Sequence, residues 1–290
     1  MKLSRNELEI VNNNESQFIS FKYLGDDGLL KQIDCSAKSL EENFPFANLK
    51  EISLQTIENK NFVDPFRSFS TTTFFCENLS SKHNSRQRLT ALLSNNKELK
   101  NLESIDFATE ISFWIDGQSS SIDQKFTTDP VDKFANLRSD IVATLERVNI
   151  KTGLHFHGKN SGESVITIQG NSIVDLSDNL LISKFIIANV ADSYGFHAEF
   201  TPPNNDTSNI ALLVKGTDHN IENISALIER NLNNTHLLRK NNTSPPFNLN
   251  KTCLYRGLSS SSAYKIELTC GDLSDLYLVF IDLLSHSEAK

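Results

Sequence analysis

The sequence predicts an α+β fold with mainly antiparallel pairing, and three observations carry that expectation. Residues 17–35 form two segments rich in aromatic and branched side chains on either side of an Asp-Gly turn, the signal of a β-hairpin. Residues Phe134, Leu137, Ile141, Leu145 and Val148 recur at helical spacing. Hairpins and adjacent strand-like segments outnumber strand–helix–strand units along the chain, which favours neighbours that reverse direction over a parallel sheet.

Taken in order, the opening hairpin belongs to a small N-terminal unit. Two further strands are expected at Thr71–Glu77 and Ala108–Asp116, with a helix near Ser85–Leu93 between them. Asp129-Pro130 reads as an N-cap followed by a residue suited to the first helical turn, so the helix carrying Phe134 to Val148 is expected to start there. Alternating segments follow at Gly153–His157 and Ser164–Gln169, then a second helix from about Leu176 to Tyr194, stopped by Gly195. Phe196–Thr201 reads as a strand running into Pro202-Pro203. The Asn-rich stretch 231–250, with Pro245-Pro246, reads as irregular, and Ser119–Ser121 and Ser259–Ser262 read as loops. Tyr264–Cys270 alternates like a strand, and Leu276–Leu284 can form a last short helix.

Composition narrows the function classes. A chain of 290 residues suffices for one large domain or two ordinary ones with a real core. Its 28 basic and 36 acidic residues give a net charge of −8, which repels phosphate backbones and anionic lipid, so neither nucleic acid nor membrane is an expected partner. A mean hydropathy of −0.32 is that of an ordinary folded protein. No apolar stretch approaches the 18 or so residues of a membrane span, and Met1–Glu7 leads into polar sequence rather than a secretory core, so the expected location is cytoplasmic. Cys35, Cys76, Cys253 and Cys270 are scattered without Cys-x-x-Cys spacing and read as buried thiols. Gly-x-Gly-x-x-Gly, Walker-type and Gly-x-Ser-x-Gly motifs are absent.

Individual residues leave alternatives open. His155 and His157 share one face of a strand and fit either a transition-metal pair or packed histidines without a third ligand. Asp178, Asn179 and Lys184 read as residues that cap and solvate a helix whose apolar face packs on the sheet.

Five segments, in order, carry a resemblance to a known family. They are Phe62-Val63-Asp64-Pro65-Phe66-Arg67 ahead of the strand expected at Thr71–Glu77; Glu110-Ile111-Ser112-Phe113-Trp114; His155-Phe156-His157-Gly158 with Gly162-Glu163-Ser164-Val165-Ile166; Ser177-Asp178-Asn179 with Phe200-Thr201-Pro202-Pro203; and Lys265-Ile266-Glu267-Leu268-Thr269-Cys270-Gly271-Asp272 with Leu276-Tyr277-Leu278. Together they resemble the glutamine synthetase family over nearly the whole chain. The resemblance implies a β-grasp-like N-terminal domain at residues 1–80, and a catalytic domain at residues 81–290 built on an antiparallel sheet with flanking helices. It also implies a C-terminal truncation relative to typical members.

The family's chemistry is ATP-dependent: glutamate is phosphorylated on its side-chain carboxylate and ammonia displaces the phosphate. Two divalent cations, Mg²⁺ or Mn²⁺, organise it, and such hard ions require clustered carboxylates. For the cation beside glutamate the resemblance asks for carboxylates at positions that here read Ser112, Gly158 and Val165, with Glu163 as a substitute two residues away on the same strand face. For the cation beside the nucleotide, Glu110 and Glu267 remain, while Ser208–Leu213 lacks the expected glycines and histidine. Glu110, Glu163 and Glu267 are thus the implied metal ligands, equally readable as solvated or ion-paired glutamates, and Arg256 and Lys265 the implied nucleotide contacts. The loop that supplies the family's ammonium-side aspartate reads Phe46-Ala47-Asn48-Leu49-Lys50 and has no carboxylate. No catalytic residue is assigned. The expectation is a catalytically degenerate glutamine-synthetase-like protein with a binding, regulatory or assembly role. The alternative is a divergent ATP-dependent carboxylate-amine ligase acting on glutamate or a related amino acid. The implied partners are further copies of the chain or a complete homologue in a mixed oligomer.

Overall fold

The hairpin expected at residues 17–35 is present as β1 (Phe18–Leu24) and β2 (Leu30–Ser36), in antiparallel register from Phe18 opposite Ser36 to Leu24 opposite Leu30. The computed structural model describes residues 3–41, 52–82, 84–95, 106–115, 124–200, 208–216, 247–250, 262–270 and 276–284, and the chain divides into two units, Met1–Arg86 and Gln87–Lys290. The hairpin loop is longer than a two-residue turn. Gly28 takes a φ of 73°, its N–H donates to the Gly25 carbonyl, and the Leu29 N–H donates to Asp27 Oδ1.

Three elements of the first unit are absent from the sequence expectations. Helix α1 (Arg5–Asn13) starts at a capping box, in which the Glu7 N–H donates to Ser4 Oγ at 3.3 Å and the Ser4 N–H donates to Glu7 Oε2 at 2.6 Å. Strand β3 (Leu54–Val63) takes in the start of the segment read as a linker, and pairs with β4 (Thr71–Asn78) around a register shift between Thr56 and Asn61. The sheet order is β2-β1-β4-β3, with β1 and β4 parallel, an exception to the antiparallel rule of the sequence. A four-residue helix α2 (Lys38–Glu41) follows β2. One face of the sheet packs Ile19, Phe21, Tyr23, Phe74 and Cys76 against Leu3, Val11 and Leu54. Each large apolar side chain buried there contributes about 1.5–3 kcal/mol. Burial also pushes the Cys76 thiol up to about 12 and raises the half-buried Cys35, so both are poor nucleophiles.

The other face holds a buried ion pair. Lys22 and Asp64 have side chains only 1% exposed and stand 3.6 Å apart. Lys22 Nζ also donates to Gln32 Oε1 at 2.7 Å, and Asp64 accepts from the Phe66 N–H and the Thr73 hydroxyl. These bonds tie the chain after β3 to the middle of the sheet.

The second unit is built on a sheet ordered β10-β11-β9-β5-β7-β6, all antiparallel. Its strands are β5 (Asp106–Ile115), β6 (Thr152–His157), β7 (Glu163–Gly170), β9 (Ser208–Gly216), β10 (Phe247–Asn250) and β11 (Ser262–Cys270), and the short β8 (Ala198–Glu199) pairs with the end of β5. The strand at β10 lies inside the stretch read as irregular, Ser262 opens β11 rather than closing a loop, and the expected strand at Phe196–Thr201 reduces to β8 among the described residues. Helix α3 (Ser85–Asn95) precedes the sheet. Helices α4 (Ala135–Arg147) and α5 (Ile173–Ser193) cover one face, and α6 (Leu276–Leu284) packs on α5.

Both long helices correct a sequence expectation. α4 starts at Ala135, not at Asp129-Pro130, and its N-cap Phe134 has no side-chain cap bond. The preceding carboxylate turned inward is Asp132, which accepts from the Phe134 N–H and pairs with the buried Arg138. α5 is capped by Ser172, whose Oγ accepts from the Asp175 N–H, and is followed by Gly195 at a φ of 80°. Asp178 and Asn179 neither cap nor solvate it. They are buried in its middle, where the Tyr277 hydroxyl of α6 donates to Asp178 Oδ1 at 2.5 Å and Asn179 Nδ2 donates to the Gln169 carbonyl at 2.7 Å. Lys184 lies with its Nζ 5.5 Å from the Phe200 ring centroid.

Two stability outcomes follow from these contacts. Lys22→Met leaves the buried Asp64 with only the more exposed Arg67, whose Nε stands 3.9 Å away, and should cost about 3 kcal/mol, part of which Asp64→Asn recovers in the double variant. Burial holds the Lys22 ammonium below the ordinary lysine value of 10.5, with Asp64 opposing, so between that lowered value and 10.5 the unfolded chain binds the extra proton. Stability should therefore rise with pH across that window in the wild type and lack this increment in Lys22→Met, as urea midpoints at several pH values would read. Tyr277→Phe should cost about 1–3 kcal/mol by removing a donor from a buried carboxylate, with the helical circular dichroism unchanged.

Candidate functional site

The candidate site is the face of the second sheet that α4 and α5 do not cover. Along β5 the odd residues Phe107, Thr109, Ile111, Phe113 and Ile115 are all buried, whereas Ala108, Glu110 and Ser112 are half-buried. Side chains alternate across a strand and directly opposed residues share a face, so the register of β5 decides what stands together.

Three rows matter. In the first, Glu110 stands opposite Thr167 of β7 on one side and Ala211 of β9 on the other, and Ala211 stands opposite Glu267 of β11. Glu110 and Glu267 are therefore in one register row, two strand spacings or about 10 Å apart at the backbone. Lys265 lies two residues along β11, opposite Leu213. In the second row Ser112 stands opposite Val165, which stands opposite Phe156 of β6. In the third, Trp114 stands opposite Glu163, and the Gly158 N–H donates to the Glu163 carbonyl at 2.9 Å.

The positions 112, 158 and 165 thus converge on one face in neighbouring rows, and none of them carries a carboxylate. Two acidic side chains stand opposite Trp114 in the third row: the exposed Glu199 of β8, and the half-buried Glu163, which is already engaged, its Oε2 accepting from the Asn160 N–H at 2.9 Å and from Asn160 Nδ2 at 3.1 Å. Glu163 also fills the space beside Gly158, where an added Cβ would fall 2.4 Å from its Cγ and Cδ. Its row lies four residues, or about 13 Å, along the strands from the Glu110 row, so Glu163 and Glu110 are not brought together. Trp114 is buried on the same face with its indole Nε1 unpartnered. Among the described residues no three His, Cys, Asp or Glu side chains gather as a metal would require. Arg256 and residues 46–50 lie outside the described residues.

The two histidines stand apart from these rows. His155 and His157 oppose Ile166 and Ser164, which puts them on the helix-covered face. His157 is buried, and its Nδ1 donates to the Gly158 carbonyl at 2.8 Å. His155 is exposed, and desolvation together with the nearby Arg138 charge lowers its pKa. Behind them Arg138 donates to Asp132 and, at 3.4 Å, to Ser164 Oγ. Burial alone would raise Asp132, but the Arg138 hydrogen bond and charge hold it below the usual carboxylate range. This ion pair fastens the start of α4 to the middle of β7. Sequence reading missed it, although Asp132 and Arg138 flank the helix start at a spacing that permits the contact.

The Gly158–Glu163 contact is testable by a double-mutant cycle. Gly158→Ala should cost about 1–2 kcal/mol in the wild-type background and under half of that in Glu163→Ala, because the clash is with the Glu163 side chain. Equal costs in both backgrounds would mean that the two residues are not coupled.

Comparison with known proteins agrees with this fold. Residues 79–210 match the family model "Glutamine synthetase, catalytic domain". The glutamine synthetase of Methylococcus capsulatus is 36% identical over 78 residues, which are 27% of this chain and 17% of that relative. That of Streptomyces viridochromogenes is 35% identical over 78 residues, with the same shares. The aligned segment therefore spans a small part of the curated relatives' length. Among solved structures, the Plasmodium falciparum glutamine synthetase superposes with a TM-score of 0.68 at 13% identity, covering 98% of this chain and 74% of that one. Over residues 79–210 the chain is thus similar to the glutamine synthetase catalytic domain, and its fold is similar to that of a solved glutamine synthetase.

Proposed function

We propose that this protein is a catalytically degenerate glutamine-synthetase-like protein whose role is binding, regulation or assembly. The observation that carries the reading is the Ser112–Val165 row with Gly158 beside it. The positions that resemble the family's glutamate-side cation ligands are neighbours on one face and offer a hydroxyl, an isopropyl group and a hydrogen. That donor set does not fit a hard divalent cation, and the carboxylate of Glu163 is held by Asn160.

The nucleotide side differs. Glu110 and Glu267, in one register row, fit the carboxylate chemistry of Mg²⁺ or Mn²⁺, and Lys265 and Arg256 are the proposed nucleotide contacts. A cation held there would supply charge neutralisation beside ATP phosphates. This row supports the second reading, a divergent ATP-dependent ligase acting on glutamate or a related amino acid. Residues 1–80 would form a β-grasp-like domain and residues 81–290 the catalytic domain. Assembly with copies of the chain or with a complete homologue, and a cytoplasmic location, complete the proposal; no helix among the described residues is long and apolar enough to cross a membrane.

The test is steady-state phosphate release from ATP with Mg²⁺ or Mn²⁺, glutamate, and ammonium or methylamine. The degenerate reading expects no amine-dependent release above a protein-free control. Amine-dependent release abolished by Glu267→Ala would establish the ligase reading instead.

A further inference from the structure

We propose that Glu163 is a two-position switch: Asn160 holds its carboxylate over the β6–β7 turn, and when that hold is broken the carboxylate passes to the indole N–H of Trp114. The backbone around Glu163 is fixed. Its N–H donates to the Asn160 carbonyl at 3.1 Å, its carbonyl accepts from the Gly158 N–H at 2.9 Å, and the Gly162 carbonyl accepts from the Ile115 N–H at 3.0 Å. Movement is therefore confined to the half-buried side chain, whose Oε2 accepts from both the N–H and the Nδ2 of Asn160.

The strand register defines the second position. Trp114 stands directly opposite Glu163, so the two side chains leave the sheet on one face with Cβ atoms about 5 Å apart. Trp114 is only 4% exposed, and its Nε1 has no hydrogen-bond partner among the described residues. A buried N–H without an acceptor is unfavourable, and a neighbouring carboxylate is the strongest acceptor it can gain. Glu163 is thus one acceptor facing two sets of donors, Asn160 on the turn and Trp114 across the strand pair. Two bonds against one favour Asn160, which is the arrangement observed. Glu199 of β8 also opposes Trp114, but it is exposed, so water competes for its carboxylate. Gly158 makes room for the Asn160 position, since a Cβ added there would fall 2.4 Å from Glu163 Cγ and Cδ and 2.8 Å from Oε2. Ser112 lies two residues, or about 7 Å, from Trp114 on the same face of β5, so the Trp114 position brings a carboxylate nearer to the Ser112–Val165 row. The Asn160 contact is then autoinhibitory, withholding that carboxylate from the glutamate side; this consequence rests on the reading proposed above, whereas the switch itself does not.

Trp114 is the only tryptophan in the sequence, so its indole N–H gives a single NMR resonance that reads the switch without nucleotide, metal or turnover. In the isotope-labelled full chain, two variants would be compared with the wild type, each also in a Glu163→Ala background. Gly158→Ala evicts the Glu163 side chain by contact, and Asn160→Ala removes one of its two bonds. A downfield shift of the indole proton, with its solvent exchange slowed about tenfold, is expected in Gly158→Ala, a smaller change of the same sign in Asn160→Ala, and neither in the Glu163→Ala background. Asn160→Ala adds no atoms and decides the matter if Gly158→Ala does not fold. An indole resonance that is unmoved or moves upfield in the folded variants would overturn the proposal. Changes that persist without Glu163 would also overturn it, by assigning the acceptor to another group. Amine-dependent phosphate release would overturn the degenerate reading and leave this result untouched.

Discussion

The register of β5 is the constraint on which the second unit depends. Phe107, Ile111, Phe113 and Ile115 all face the helices, and a slip of one residue would exchange them for Ala108, Glu110, Ser112 and Trp114. Burying Glu110 under α5 while exposing two phenylalanines is so unfavourable that the pairing with β7 and β9 is effectively fixed. The same constraint fixes what stands on the open face, because the core and the site are alternate residues of one strand. Core and open face are therefore separately encoded, and residues such as Ser112, Gly158 and Val165 can differ without disturbing the packing under the helices. A shared fold at 13% identity, with a different open face, is the expected result.

Among the described residues each unit also contains a buried ion pair that ties an irregular segment to a sheet. Lys22–Asp64 does this for the chain leaving β3, and Arg138–Asp132 for the chain entering α4. Such pairs are expensive to desolvate and contribute little net stability over an apolar replacement. Their effect is positional, since their hydrogen bonds fix the adjoining loop: Asp64 accepts from the Phe66 N–H and the Thr73 hydroxyl in one unit, and in the other Asp132 accepts from the Phe134 N–H while Arg138 donates to Ser164 Oγ.

The elements readable from sequence were those with a clean period. Phe18–Leu24 alternates around an Asp-Gly turn, and the apolar spacing of α4 and the length of α5 are explicit. β3 was not readable because Leu-Gln-Thr-Ile-Glu-Asn-Lys-Asn-Phe-Val breaks its alternation at the register shift. The start of α4 was misplaced because Asp129-Pro130 has the right residue types, while the carboxylate that engages the helix start, Asp132, does so by pairing with an arginine one turn into the helix. Asp178 and Asn179 look like surface residues in sequence, and only the Tyr277 hydroxyl and the Gln169 carbonyl, distant in the chain, explain their burial. In the site, the likeness of Glu110 and Glu267 to ligands was legible, but their common row depends on Ala211 lying between them. Glu163 was legible as a carboxylate near the right place, and its engagement by Asn160 was not.

The central proposal is that the fold keeps carboxylates on a nucleotide side of the site and lacks them on a glutamate side. Counting bound Mn²⁺ by electron paramagnetic resonance, in the presence of ADP, tests it most directly. The account expects at most one tight, nucleotide-dependent site per chain, and its disappearance in Glu110→Gln. Two tight sites, one of them indifferent to Glu110→Gln and lost in Glu163→Gln, would contradict it.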